Sequence, residues 1–217
     1  MANIQIQRSL KEDQLIFKIA TAVSEFNEVY KLSWQVYSEE GYINPMDYPD
    51  YRLQDQYEKY SVYFLARNNE RVIGAVRLII DSPKLYVEED FNLGISVDKK
   101  RIAEISRLVV LKEYRRKNPR LFLELIRMAF NFSEDRNLTH WISVMSKGLK
   151  KLFSRFGVEF RLIPTKPLLP EHLEIRKKLP GYYQREIFPY IISLKEVKKG
   201  FEKLNDSDNE KKGVNEG

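Results

Sequence analysis

One run of eight residues constrains this chain most: Ala103, Glu104, Ile105, Ser106, Arg107, Leu108, Val109 and Val110 set a carboxylate, a hydroxyl and a guanidinium inside a strand-like apolar segment. A strand this apolar belongs in a sheet interior, and charges carried there need partners or a task. On an extended strand alternate residues share a face, so Glu104 and Ser106 are expected on one side, with Ile105 and Arg107 on the other. A carboxyl group in an apolar cleft has its charged form disfavoured, which raises its pKa toward the range where it takes a proton from an amine. A bracing ion pair between Glu104 and Arg107 accounts for the same residues without any chemistry.

The periodicity around this strand predicts an alternating α/β chain. A short strand at 15–17 leads into a helix over 18–39, on which Val23, Phe26, Val29 or Tyr30, Ser33 and Val36 or Tyr37 recur every three or four residues, with Gly41 as its stop. Its C-terminal end delivers Trp34 and Tyr37 toward a site. Residues 42–60 form a Pro-, Asp- and Tyr-rich loop, long for a simple connection and therefore read as a substrate cover. Antiparallel strands come next at 61–67 and 71–80, then a looser stretch at 81–100 and the charged strand at 101–110. A helix at 121–136, a strand at 141–145, a helix at 147–156 ended by Gly157, a strand at 158–163 and an apolar run at 187–194, which adds a late strand or packs beneath the sheet, complete the pattern. Residues 1–202 read as one domain, and the polar residues 203–217 as a disordered tail.

Composition narrows the chemistry. With 217 residues and 43% apolar content the chain has enough material for one substantial core. It has no cysteine, so disulfides, thiolate metal sites and a cysteine nucleophile are excluded. Only His140 and His172 are present, so no metal site built on several histidines is expected. Residues 1–16 lack the apolar centre of a signal peptide, and no stretch is long and apolar enough for a transmembrane helix, so the cytoplasm is the expected location. The net charge of +6 suggests an acidic partner. Nucleic acid is not expected, because basic residues are scattered among acidic ones and no DNA-binding motif is present. The denser basic groups are Arg115, Arg116, Lys117 and Arg120, then Lys147, Lys150, Lys151 and Arg155.

The order of motifs resembles the core of the GNAT acyltransferase superfamily, in which a strand bearing the catalytic carboxylate leads through a basic turn into the helix that receives the acyl donor. Here that turn is Leu111, Lys112, Glu113, Tyr114, Arg115, Arg116 and Lys117. Upstream, LSWQVY at 32–37, EGY at 40–42, DQYE at 55–58 and VIGAVRL at 72–78 are similar to acyl-homoserine-lactone synthases, and more so to N-acyl amino acid synthases and exosortase-associated acyltransferases. Downstream, WISVM at 141–145 and LFSRFG at 152–157 extend the similarity, which covers residues 30–161. The resemblance implies a GNAT-type fold: a mixed central sheet with a splayed strand pair, flanked by helices. It implies an N-acyltransferase that moves a fatty acyl chain from acyl carrier protein to the amino group of an amino acid or similar small amine. A lactone synthase, or a noncatalytic module that binds acyl carrier protein, stands as the alternative.

On this resemblance Glu104 is the general base, Ser106 orients it or holds a water, and backbone N–H groups at Leu108, Val109 and Val110 are the donor-side oxyanion groups. Trp34, Tyr37, Asp55, Arg77 and Arg107 form the acceptor pocket, although the charged members read equally well as a salt-bridge network. Phe122, Leu125, Ile126, Phe130, Trp141, Val144 and Met145 line the acyl pocket, and Arg115, Arg116 and Lys150 meet the acidic carrier protein. No metal or tightly bound cofactor is implied. Ser33 and Glu58 stand where lactone synthases carry arginine and aspartate, and the missing arginine removes a group tied to their S-adenosylmethionine pocket. Tyr37 replaces a phenylalanine. Residues 114–120 contain no glycine, whereas coenzyme A-binding members cradle a pyrophosphate on a Gly-rich turn; this favours the phosphopantetheine of acyl carrier protein over acyl-CoA.

Overall fold

The computed structural model describes residues 6–10, 13–93, 98–166 and 178–213. Its β-branched and aromatic runs become eight strands of one sheet: β1 (Ile6–Leu10), β2 (Asp13–Ile19), β3 (Ser61–Arg67), β4 (Val72–Ile79), β6 (Ile102–Val110), β7 (His140–Ser146), β8 (Arg161–Leu162) and β10 (Ile187–Ser193). A two-residue pairing of β5 (Asn92–Leu93) with β9 (Thr165–Lys166) lies apart. The large sheet runs β1-β2-β3-β4-β6-β7-β10-β8, with β6 and β7 parallel and every other neighbour pair antiparallel. Among the described residues no helix is long and apolar enough to cross a membrane.

Both faces of the sheet are covered, which is why all eight residues of β4 are buried. Successive residues of β3 show the two coverings. Tyr63 meets Tyr30 of helix α1 (Val23–Glu39) edge-on at 5.9 Å, and Phe64 meets Phe132 of helix α4 (Pro119–Asp135) at 5.5 Å. Gly74 permits the close approach of α4, since a Cβ there would stand 2.7 Å from Leu121. Shorter helices α2 (Val87–Asp90), α3 (Lys112–Lys117), α5 (Lys147–Arg155) and α6 (Pro180–Tyr183) join the strands, and α7 (Leu194–Gly213) closes the chain.

Two irregularities in β6 shape the site. Its pairing with β7 covers only Ile102↔His140, Ala103↔Trp141 and Glu104↔Ile142; beyond these the strands run on unpaired with each other and part. On its other edge the register with β4 shifts between Ala75 and Arg77, where one extra β6 residue is accommodated as a bulge. Arg107 sits in that bulge with φ +47°, a left-handed conformation that a non-glycine side chain adopts at a cost.

Three expectations change. The first helix starts at Val23, not at 18, because Lys18 and Ile19 pair with Leu65 and Phe64 in the sheet. Of the strand expected at 158–163 only Arg161–Leu162 is regular, for Val158 and Phe160 turn inward to the core instead of laddering. The polar tail is helical to Gly213, since α7 docks through Leu194, Val197 and Phe201 and no proline interrupts the helix beyond them. Residues 214–217 lie outside the described residues.

Candidate active site

Glu104 stands at the fork, on the last residue pair before β6 and β7 separate, and is 1% exposed. Its Oε2 accepts the Val87 N–H at the start of α2 (2.9 Å). Burial pushes its carboxyl up to about 8; the Val87 N–H and Arg77 pull the other way, and the carboxylates of Asp55 and Asp90 add to the rise. A group with this pKa accepts a proton near neutral pH.

Beside it lies a charged network that the bulge creates. Strict alternation places Arg107 on the face away from Ser106; the left-handed turn brings it round to the same side. There the Arg107 guanidinium, 9% exposed, donates to Leu53 O (2.6 Å), Glu58 (3.0 Å), the Tyr63 hydroxyl (3.3 Å) and Asp55 (2.7 Å). Arg77, 1% exposed and opposite Ser106 in the ladder, donates to Ser106 Oγ (2.9 Å) and to both oxygens of Asp55 (3.0 and 2.9 Å). Burial opposes the charge on Asp55, yet Arg107 and Arg77 hold its carboxyl below the usual range. Two carboxylates thus match two guanidiniums, and Glu104 pairs with neither arginine. In place of a bracing Glu104–Arg107 ion pair, Arg107 clamps the 53–58 segment to the sheet.

Two cavities meet here. The larger, about 470 Å³, takes Val36 and Tyr37 from α1 on one face and Phe122, Leu149, Leu152, Phe153 and Phe156 from α4, α5 and the turn after it on the other, so it passes through the gap between β6 and β7. Leu108, Val109, Val110 and Arg115 also line it. Leu111 N–H bonds Ile73 of β4 (2.9 Å); successive peptide groups of a strand face opposite edges, so the N–H groups of Val110 and Leu108 face the gap. The smaller cavity, about 100 Å³, is lined by Glu104, Asp55, Arg77 and a ring of tyrosines that includes Tyr57, Tyr86 and Tyr183. Tyr37, Ser106, Arg107, Val144 and Tyr182 border both.

The end of α1 brings Tyr37 to both cavities. Gly41 at φ +69° and the bonds Gly41 N–H to Ser38 O (3.0 Å) and Tyr42 N–H to Tyr37 O (2.8 Å) terminate the helix in a Schellman turn. Trp34 lines neither cavity, contrary to expectation; its place on the helix turns its indole edge-on against Tyr51 (5.0 Å). Ser33 is fully buried and also lines neither. Of the expected acyl-pocket residues, Phe122 and Val144 line the cavities. Leu125, Ile126, Phe130, Trp141 and Met145 are core between α4 and the sheet, and Trp141 donates to Ser133 Oγ (2.9 Å). Arg115 is fastened to Glu40 and to Val110 O (2.8 Å), Lys150 lies 3.7 Å from Glu159, and the Arg116 side chain lies outside the described residues. Sequence reasoning missed the α5 wall, although Leu149, Leu152, Phe153 and Phe156 have helical spacing, and it missed Tyr182, whose hydroxyl donates to Val144 O (2.8 Å).

Parallel strands that part in mid-sheet over an apolar passage, with a buried carboxyl at the fork, place the chain in a fold class shared with a GNAT-family acetyltransferase from Staphylococcus aureus, which aligns with a TM-score of 0.51 at 18% identity, over 82% of this chain and 99% of that one. Within that class the chain belongs to the N-acyl amino acid synthase FeeM family, whose model matches residues 28–160, and it is an N-acyltransferase. Among solved structures, FeeM itself, an N-acyl amino acid synthase from uncultured soil microbes, aligns with a TM-score of 0.58 at 13% identity, over 85% of this chain and 93% of that one. The acyl-homoserine-lactone synthase LasI gives 0.62 at 19%, over 84% and 91%. The CoA-dependent lactone synthase BjaI, with S-adenosylmethionine and isopentyl-CoA, gives 0.64 at 21%, over 87% of each chain. No curated protein matches the chain.

Proposed function

We propose that the protein transfers a fatty acyl chain from the phosphopantetheine of acyl carrier protein to the amino group of an amino acid or similar small amine. The observation that carries this reading is the meeting of the two cavities: an apolar passage large enough for an acyl chain opens at Ser106 onto a small polar chamber that holds Glu104. The acyl thioester enters through the gap and sets its carbonyl against the N–H groups of Leu108 and Val110, which stabilise the oxyanion as it forms. The amine waits in the chamber and loses its proton to Glu104, directly or through a water held by Ser106. It then attacks the carbonyl, the C–N bond forms, and as the C–S bond breaks the departing thiolate takes the surplus proton of the attacking nitrogen and leaves as the thiol.

The chain has helix where a pyrophosphate-cradling glycine loop would stand: α3 runs to Lys117 and Asn118 caps α4. That favours a carrier-protein donor. A lactone product is disfavoured because Ser33, in place of an arginine, is buried away from both cavities. The test is to offer dodecanoyl carrier protein and dodecanoyl-CoA with a pool of amino acids and amines, and to identify products by mass spectrometry. N-acyl amino acids formed faster from the carrier protein support the reading; a faster reaction with the CoA thioester overturns the donor assignment. A Leu152→Trp change, which fills the passage, is expected to shift preference to shorter chains, whereas no shift would move the acyl chain elsewhere.

A further inference from the structure

The acceptor chamber also limits which amine it takes, an inference that rests on the acyltransferase reading above. At about 100 Å³ the chamber is smaller than the roughly 150 Å³ hole that holds a benzene ring, so an aromatic or long side chain does not fit beside the reacting amine. Its charges are allotted unevenly. Of the cationic residues described on its wall, Arg77 and Arg107 are matched by Asp55 and Glu58, while Lys178 is in no ion pair among the described residues. Lys178 is exposed. Its backbone is moored over the chamber: its carbonyl accepts the Tyr48 hydroxyl (3.2 Å), and three residues on, Gly181 N–H donates to Tyr42 O (3.2 Å). The chamber therefore offers a proton acceptor, Glu104, within and, among the described residues that line it, one cation without a carboxylate partner, Lys178. A zwitterion fits this pattern, and a diamine does not.

We propose that the acceptor is a small α-amino acid, of the size of glycine, alanine or serine, with its amine at Glu104 and its carboxylate paired with Lys178. Replacing the lysine side chain leaves the Tyr48 bond to its carbonyl in place, so the fold survives the test. With the full-length protein and dodecanoyl carrier protein as donor, kcat/KM is measured for glycine, glycinamide, leucine and phenylalanine. Wild type is expected to prefer glycine over leucine and phenylalanine. Lys178→Glu is expected to lower the glycine-to-glycinamide ratio about tenfold, mostly through KM, and Lys178→Arg to keep it; the difference should shrink as salt rises. An unchanged ratio in Lys178→Glu overturns the anchor, and phenylalanine used as well as glycine overturns the size limit. Failure of the wild type to acylate any amine would instead sink the acyltransferase reading itself.

Discussion

Among the described residues two glutamates are buried, and their surroundings drive them in opposite directions. Glu25 lies in the first turn of α1, where its carboxylate accepts the N–H groups of Thr21 (2.9 Å) and Ala22 (3.1 Å) and pairs with Lys18 (2.7 Å). Burial works against its charge, but Lys18 and the two backbone donors prevail and hold its pKa at about 2. Glu104 has one backbone donor, an arginine already shared by other acceptors, and two carboxylates nearby; burial prevails, and its pKa lies at about 8. Burial is common to both. The count of donors and the sign of the nearest charges separate a carboxylate that holds a helix end from one that keeps its proton to higher pH.

The sharpest test is Glu104→Gln, which keeps the shape of the side chain and removes its basicity. Acyl transfer should fall by about a hundredfold or more. Its stability should move the other way. Between the ordinary value of 4.5 and about 8 the native state holds a proton that the unfolded chain has released, so wild-type stability falls as pH rises through that window. The variant lacks this slope and should melt above wild type at pH 8–9. Wild-type kcat should rise with a limb near pH 8; a rate within a few-fold of wild type in the glutamine variant would remove Glu104 from the proton transfer.

Next in size is Asp55→Asn, which strips the shared carboxylate from Arg77 and Arg107. Breaking such a buried pair costs about 3 kcal/mol, read by denaturant unfolding. With a negative neighbour gone and Arg77 freed, the pKa of Glu104 should drop and the rising limb of the rate profile should move to lower pH. An unmoved limb would show that Asp55 does not set the proton affinity of Glu104.

Glu25→Gln should cost about 1–2 kcal/mol at neutral pH and leave kcat per folded molecule unchanged. Because the native pKa is depressed, this stabilisation is present above about 4.5 and is lost as pH falls toward 2, so the two proteins should converge in acid. A drop in kcat with an intact melting curve would break the comparison. The smallest effect belongs to Lys18→Met, which removes a partly exposed partner at a cost of about 1 kcal/mol or less, lost in high salt.

Much of this is legible in the sequence, for reasons that differ by element. The helix over 23–39 and the strand at 102–110 carry strong local periodicity, and the isolated carboxylate of the latter points to the place where the two cavities meet. Alternation alone puts Arg107 on the wrong face because its bulge arises from the register between β4 and β6, which no local pattern reveals. Leu125, Ile126 and Phe130 are as apolar as a tunnel wall; only the contact of α4 with the sheet decides that they are core. The α5 wall is hidden under a lysine-rich composition. The moored segment at 178–185 depends on a tertiary fit, since a Cβ on Gly181 would stand 1.7 Å from Gly41 O.

The short pairing of β6 with β7 has a consequence for the sheet as a whole. Three residue pairs join a plate of β1, β2, β3, β4 and β6 to a plate of β7, β10 and β8, while longer antiparallel ladders bind β4 to β6 and β7 to β10. For exchange with heavy water the molecule is two sheets sharing a hinge. The amide hydrogens of Leu108 and Val110, which face the rift, should exchange ahead of those locked in the β4 ladder and slow when a thioester fills the passage, so the rift carries its own record of occupancy.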